Sequence, residues 1–168
     1  MADVRRRAHR CFSDILMAIP QTILVPLSHS PASLEAVAVA AALARQRKGH
    51  VYAVHVIEVL RSLPLNAEME AEARKGEQLI HRAEEIAARA GGQLTGTLLQ
   101  AREAGQAIVD EARDRGVDAI ILGIGYKRVI GSFQVGRTAD YILKNATSQV
   151  WVVRQGLEPA PSEVHQHE

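Results

Sequence analysis

The chain has 168 residues, 47% of them hydrophobic and 23% charged, enough for one globular domain with a substantial core. A net charge of +1 supplies no broad basic field, so nucleic acid is not an expected partner. The single cysteine, Cys11, rules out an internal disulfide, and no apolar run nears the ~18 residues of a membrane span, so a cytoplasmic protein or domain is expected.

Residues 1–20 form an extension ahead of the core pattern. Val4, Ala8, Cys11, Phe12, Ile15, Leu16 and Ile19 fall at helical spacing, and Arg5, Arg6, Arg7 and Arg10 crowd the first half. Four readings fit residues 1–19: a basic amphipathic helix on an anionic membrane surface, a targeting segment (though without a small-residue cleavage pattern), a helix packed on the domain, or a stretch upstream of a start at Met17.

Thr22 to Leu27 (TILVPL) reads as the first core strand. It runs into Ser28-His29-Ser30, where Ser30 and Pro31 predict a helix start with a capping hydroxyl and proline at the first position. Leu34, Val37, Ala38, Ala41 and Ala42 give that helix a small-residue face, and Gln46-Arg47-Lys48-Gly49 closes it. His50 to Ile57 is a second strand, and Glu58 to Asn66 a loop. Ala67 to Ala90 is a long helix burying Leu79, Ile80, Ala83, Ile86 and Ala87. Gln93 to Gln100 is a weaker strand suited to a sheet edge. Glu103 to Arg115 is a helix through Ile108, Val109 and Ala112.

The next stretch carries the chemistry. The apolar run Ala119 to Leu122 ends in Gly123-Ile124-Gly125, a loop with Tyr126, Lys127 and Arg128 follows, and Gly136-Arg137-Thr138 opens a helix through Ala139, Ile142, Leu143 and Ala146. Val150 to Val153 is the last strand. Between Ala119 and Ala139 there is no acidic residue, while Lys127, Arg128 and Arg137 are all present. A cationic glycine loop feeding a helix amino terminus suits a phosphate, because the first turn presents unpaired N–H groups and a partial positive charge. A solvated basic loop whose glycines serve tight turns is the alternative. The polar residues 155–168, with His165 and His167, read as a mobile tail.

Strands alternating with helices imply a three-layer α/β/α domain over residues 21–154, a Rossmann-like parallel sheet of five strands. In the order 3-2-1-4-5 the ends of strands one and four adjoin at a topological switch point. Pro26, Leu27, Ser28 and His29 then face Gly123, Ile124 and Gly125.

From about Thr22 to Arg154 the chain resembles the universal stress protein (UspA) family, through ILVPLSHSPAS, VHVIE and ILGIGY…VGRTADYILKNATSQVWVVR in that order. Against the family pattern G-x2-G-x9-G-[ST], Gly123 and Gly136 take the first and third glycines. Tyr126 replaces the second, and Arg137 stands at the Ser/Thr position with Thr138 one place late. The resemblance implies a flavodoxin-like fold of order 3-2-1-4-5. It also implies a homodimer joined through the last strand, at Val150, Trp151, Val152 and Val153. In nucleotide-binding members an Asp near ribose and metal occupies the position of Ser28, adenine lies near the position of Val56, and ribose and phosphates lie near Leu122, Gly123, Tyr126, Gly136, Arg137 and Thr138.

Three departures alter that carry-over. Ser28 removes the carboxylate that recruits Mg²⁺. Tyr126 puts a ring where backbone approaches phosphate, and Arg137 puts a cation where a small hydroxyl stands. The expectation is an adenine-nucleotide-binding regulatory homodimer with an altered phosphate loop, its ligand ATP, AMP or a cyclic dinucleotide. The alternatives are a cytoplasmic regulatory domain of a membrane transporter and a ligand-free structural dimer. Catalysis is not expected, since Ser28, His29 and Ser30 are neighbours in one loop without an acidic orienter. No metal-ligand cluster stands out.

Overall fold

The computed structural model describes residues 19–125, 128–129, 132–133 and 135–156. The proposed helix over most of residues 1–20, Tyr126, Lys127, the side chain of Arg128 and all but the first two residues of the tail lie outside the described residues.

Eleven elements follow in order: β1 (Thr22–Leu27), α1 (Pro31–Gln46), β2 (His50–Glu58), α2 (Glu70–Arg89), β3 (Leu94–Ala101), α3 (Ala104–Asp114), β4 (Ala119–Ile124), β5 (Arg128–Val129), β6 (Ser132–Phe133), α4 (Arg137–Asn145) and β7 (Gln149–Arg154). Five strands form one parallel sheet in the order β3-β2-β1-β4-β7, the expected 3-2-1-4-5 arrangement. β5 and β6 form a separate antiparallel pair inside the segment read as an open loop.

The central strands are near-continuous apolar runs because helices cover both faces. Alternate β1 residues divide between two cores: Ile23, Val25 and Leu27 pack under α1 and α2, and Leu24 packs with Ile120, Leu122, Ile108 and Ile142 under α3 and α4. Among the described residues, no helix is long and apolar enough to cross a membrane.

Local chemistry shifts several boundaries. Ser30 is the N-cap residue of α1 but makes no side-chain cap. Instead, the buried Ser33 hydroxyl lies 2.7 Å from the Ser28 carbonyl oxygen and 2.9 Å from that of Ser30, and the Ser28 hydroxyl accepts from the Ser30 amide at 3.3 Å. Ile80 and Ile86 of α2 are only partly buried, while Leu79, Ala83 and Ala87 form its inner side. Leu143 of α4 is 46% exposed, because the sheet takes only the Ile142 side of that helix.

At the amino end of the sheet Asp118 ties β1 to β4. Its Oδ2 accepts from the backbone N–H groups of Gln21 at 2.9 Å and Thr22 at 2.8 Å, and from the Thr22 hydroxyl at 3.0 Å. At the carboxyl end the same two strands separate. β1 pairs with β4 at Ile23 and Leu24, whereas β1 stays paired with β2 out to Leu27 and β4 with β7 out to Ile124. Pro26, with no N–H to donate, lies just beyond the last β1–β4 pair.

Candidate functional site

That separation opens a cavity of about 870 Å³ over the carboxyl ends of β1, β2 and β4. Its size falls in the range of small-molecule pockets. Its apolar floor comes from Leu122, Ile124, Ile108 and Ile142, all buried. Pro26 to Ser30 form one wall, and α4 enters opposite with Gly136 as its N-cap residue and no side-chain cap on its first turn.

Eleven of the predicted nucleotide-site residues line this cavity: Pro26, Leu27, Ser28 and His29 from the β1 end, Val56 from β2, Leu122, Gly123 and Gly125 from the β4 end, and Gly136, Arg137 and Thr138 from the start of α4. Packing demands glycine at one of the three positions and only crowds a second. A β-carbon at Gly123 would lie 2.0 Å from the Ala32 carbonyl oxygen, and one at Gly125 would lie 3.2 Å from the Ser30 hydroxyl. Gly123 is a strand residue that lets β4 touch the start of α1, rather than the first residue of a loop. A β-carbon at Gly136 would meet nothing within 4 Å, so the cavity is open there.

Two features escape a reading by sequence neighbourhood. The first is Glu58, the last residue of β2. Its Oε1 accepts from the Ala104 amide at 3.0 Å, which caps α3, and its Oε2 lies 3.6 Å from Arg137 Nη2. The cationic loop therefore does not stand alone, since a carboxylate from a distant strand reaches its arginine. The second is a pair of histidines. His55 Nδ1 donates to the Leu27 carbonyl at 3.0 Å, and His29 meets the His55 ring edge-to-face with centroids 5.4 Å apart. Glu58 follows Val56 by two positions and so lies on the same strand face. That period-two rule, applied past the end of the apolar run, was the available signal. Among the described residues no group of three or more His, Cys, Asp or Glu is placed to hold a metal.

The fold and its crevice define a class: a doubly wound, flavodoxin-like α/β domain with a cavity at the switch point of the sheet. Residues 20–154 match the Universal stress protein family, and the chain belongs to that family. A universal stress protein of Methanocaldococcus jannaschii is 27% identical over 139 residues, covering 79% of this chain and 81% of the relative. Among solved structures, a universal stress protein from Archaeoglobus fulgidus in complex with dAMP superimposes with a TM-score of 0.64 at 23% identity, covering 80% of this chain and 98% of that one. A universal stress protein in complex with cAMP gives a TM-score of 0.61 at 18% identity, covering 81% and 98%. At those identities the likeness shows the shared fold.

Proposed function

We propose that this chain is a regulatory protein that binds an adenine nucleotide in the β1–β4 crevice, acts as a homodimer in the cytoplasm, and is not an enzyme. The observation that carries the reading is the convergence of the β1 end, the β4 glycines and the uncapped start of α4 on one cavity of about 870 Å³. The dAMP and cAMP bound by structural relatives support adenine as the base. An apolar floor suits a purine ring, and the amino terminus of α4 suits a phosphate. With Ser28 in place of a carboxylate, the β1 loop offers Mg²⁺ no acidic ligand, so binding is expected without it.

A binding role fits the polar groups of the β1 loop better than a catalytic one. Ser28 accepts from a backbone amide and His55 donates to a backbone carbonyl, which fixes the loop in place. The dimer reading rests on β7, an edge strand of the sheet with Val152 46% exposed and Trp151 half-buried. An apolar edge of this kind invites a further strand.

The test is purification without added ligand and identification of any retained nucleotide by mass spectrometry. Calorimetric titration with ATP, AMP, cAMP and cyclic dinucleotides, each with and without Mg²⁺, follows. Micromolar or tighter binding of at least one adenine ligand supports the reading. Silence across the panel sinks it and favours a ligand-free dimer, the alternative to which the Arg137–Glu58 pairing lends weight.

A further inference from the structure

The position of Glu58 bears on which nucleotide the crevice accepts, an inference that rests on the nucleotide-binding reading above. Glu58 lines the cavity with its side chain 43% exposed, and its two oxygens reach different helices. One caps the first amide of α3 at Ala104, and the other faces Arg137 in the first turn of α4. A single carboxylate thus spans the two helix starts that border the crevice.

A phosphate arriving at the start of α4 must share Arg137 with that carboxylate or take the arginine from it. One phosphate can use the helix N–H groups and the outward side of the guanidinium, whose side chain is 89% exposed. Each further phosphate adds negative charge beside Glu58. The remedy used for polyphosphates is a divalent cation held by protein carboxylates. Here the β1 loop offers Ser28, and Glu58 spends one oxygen on Ala104. Of the other charged groups on this cavity among the described residues, Glu72 and Lys75 of α2 are of opposite sign and both exposed, so they leave the balance unchanged.

We propose that Glu58 sets the phosphate count of the ligand: the crevice selects adenine ligands carrying one phosphate and discriminates against the triphosphate. Two unit charges a few ångströms apart in water-like surroundings change a binding constant about fivefold, and ATP brings at least one such charge more than AMP.

The experiment is calorimetric titration of the full chain with AMP and with ATP, at low ionic strength, with and without Mg²⁺. It is carried out on the wild type, Glu58→Gln and Glu103→Gln. Glutamine keeps an oxygen for the Ala104 amide, so the cap on α3 survives while the charge goes. Glu103 is the neighbouring carboxylate, pairing with Arg61 and not lining the cavity, and serves as the charge control. The wild type is expected to bind AMP at least about fivefold tighter than ATP without Mg²⁺, and by a smaller ratio with it, because ATP takes the cation from solution and loses its excess charge. Glu58→Gln is expected to erase most of the Mg²⁺-free ratio by tightening ATP, and Glu103→Gln to leave it intact. A smaller or reversed wild-type ratio without Mg²⁺ overturns the proposal whatever the variants do, while the nucleotide reading stands. An unchanged ratio in Glu58→Gln, or an equal effect from Glu103→Gln, also overturns it. Failure of the wild type to bind either AMP or ATP overturns the selectivity, and the nucleotide reading falls with it only when cAMP and the cyclic dinucleotides also fail to bind.

Discussion

Gly123 of β4 lies directly against Ala32 at the start of α1, so close that a β-carbon at 123 would sit 2.0 Å from the Ala32 carbonyl oxygen and 2.6 Å from the Ser33 α-carbon. Both obstructing groups are backbone, so no side-chain rotation relieves the clash. Gly123→Ala must push α1 off the sheet, and α1 carries the buried Ala32, Ala36, Val37, Ala40 and Ala41. Overpacking of this kind costs about 1–3 kcal/mol, and a backbone clash belongs at the upper end. Gly136→Ala makes the contrast: nothing lies within 4 Å and φ is −65°, so only the weaker N-cap preference is lost, under about 1 kcal/mol. Urea midpoints of the two variants separate the cases, and equal midpoints would mean that Gly123 is not a packing residue.

Asp118 supplies a pH-dependent part of stability at the opposite end of the sheet. The Thr22 backbone N–H is the largest influence holding its carboxyl below the ordinary range, with the Gln21 N–H, the Thr22 hydroxyl and the Arg47 charge acting the same way and partial burial opposing. The folded pKa is therefore below the unfolded one, near 3.9. A group shifted in that direction contributes its full stability above the unfolded value and loses it as pH falls through the folded value. Asp118→Ala is expected to cost about 1 kcal/mol at neutral pH, the low end for such bonds because the site is solvent-facing. The gap between wild type and variant should close below about pH 4. Denaturant melts over a pH series check this, and a gap that stays constant into acid would contradict it.

These two positions show what the sequence made legible and what it did not. The apolar runs of β1 and β4 declare themselves locally, because composition decides burial; the expected face of α1 holds at Val37 and Ala41, whereas Ala42 is exposed and Ala32, Ala36, Ala40 and Ala44 supply the buried side. Gly123 was visible as a glycine but not as a strand residue, since the atom that demands it belongs to α1. Glu58 falls in the loop that local pattern predicts, since its partners Ala104 and Arg137 are met only after the sheet is assembled. Ala67 to Met69 are good helix formers, yet α2 begins at Glu70. Gln100 donates to the Ala67 carbonyl, and Arg102 donates to the carbonyls of Val59, Leu60 and Leu63, which hold the preceding segment as a loop. For Glu58 and the start of α2 a long-range polar contact overrides a local preference, and for Gly123 a long-range steric one does.

β7 tests the assembly. Its outward Val152 lies on an edge strand, and Trp151 and Val153 are partly buried against the α1 side of the core. Val152→Lys should leave the fold intact, because the position is already exposed, and should convert a dimer to monomer through the charge it places on the edge. Sedimentation velocity on the wild type and the variant reads the outcome. A monomeric wild type, or a variant that dimerises equally well, removes β7 as the interface.

Ser28 offers the converse of the Glu58 experiment, a gain rather than a loss. Its hydroxyl accepts from the Ser30 amide at 3.3 Å, a bond that an aspartate oxygen at the same position also makes, so Ser28→Asp is expected to fold normally. The new carboxylate would line the crevice together with Glu58 and Glu72, giving the β1 loop an acidic oxygen donor where the wild type has none there. Hard cations such as Mg²⁺ bind through carboxylates and substrate phosphates together, so the cation gains a foothold only in the variant. ATP affinity of the wild type should rise by no more than about fivefold on adding Mg²⁺, the effect of neutralising the ligand alone, whereas Ser28→Asp should tighten ATP with Mg²⁺ about tenfold further and weaken it without. Paired titrations with Mg²⁺ and with a chelator measure both effects. Strong Mg²⁺ dependence in the wild type would mean that another group supplies the metal ligand, and the assignment of Ser28 as the position that decides metal use would fail.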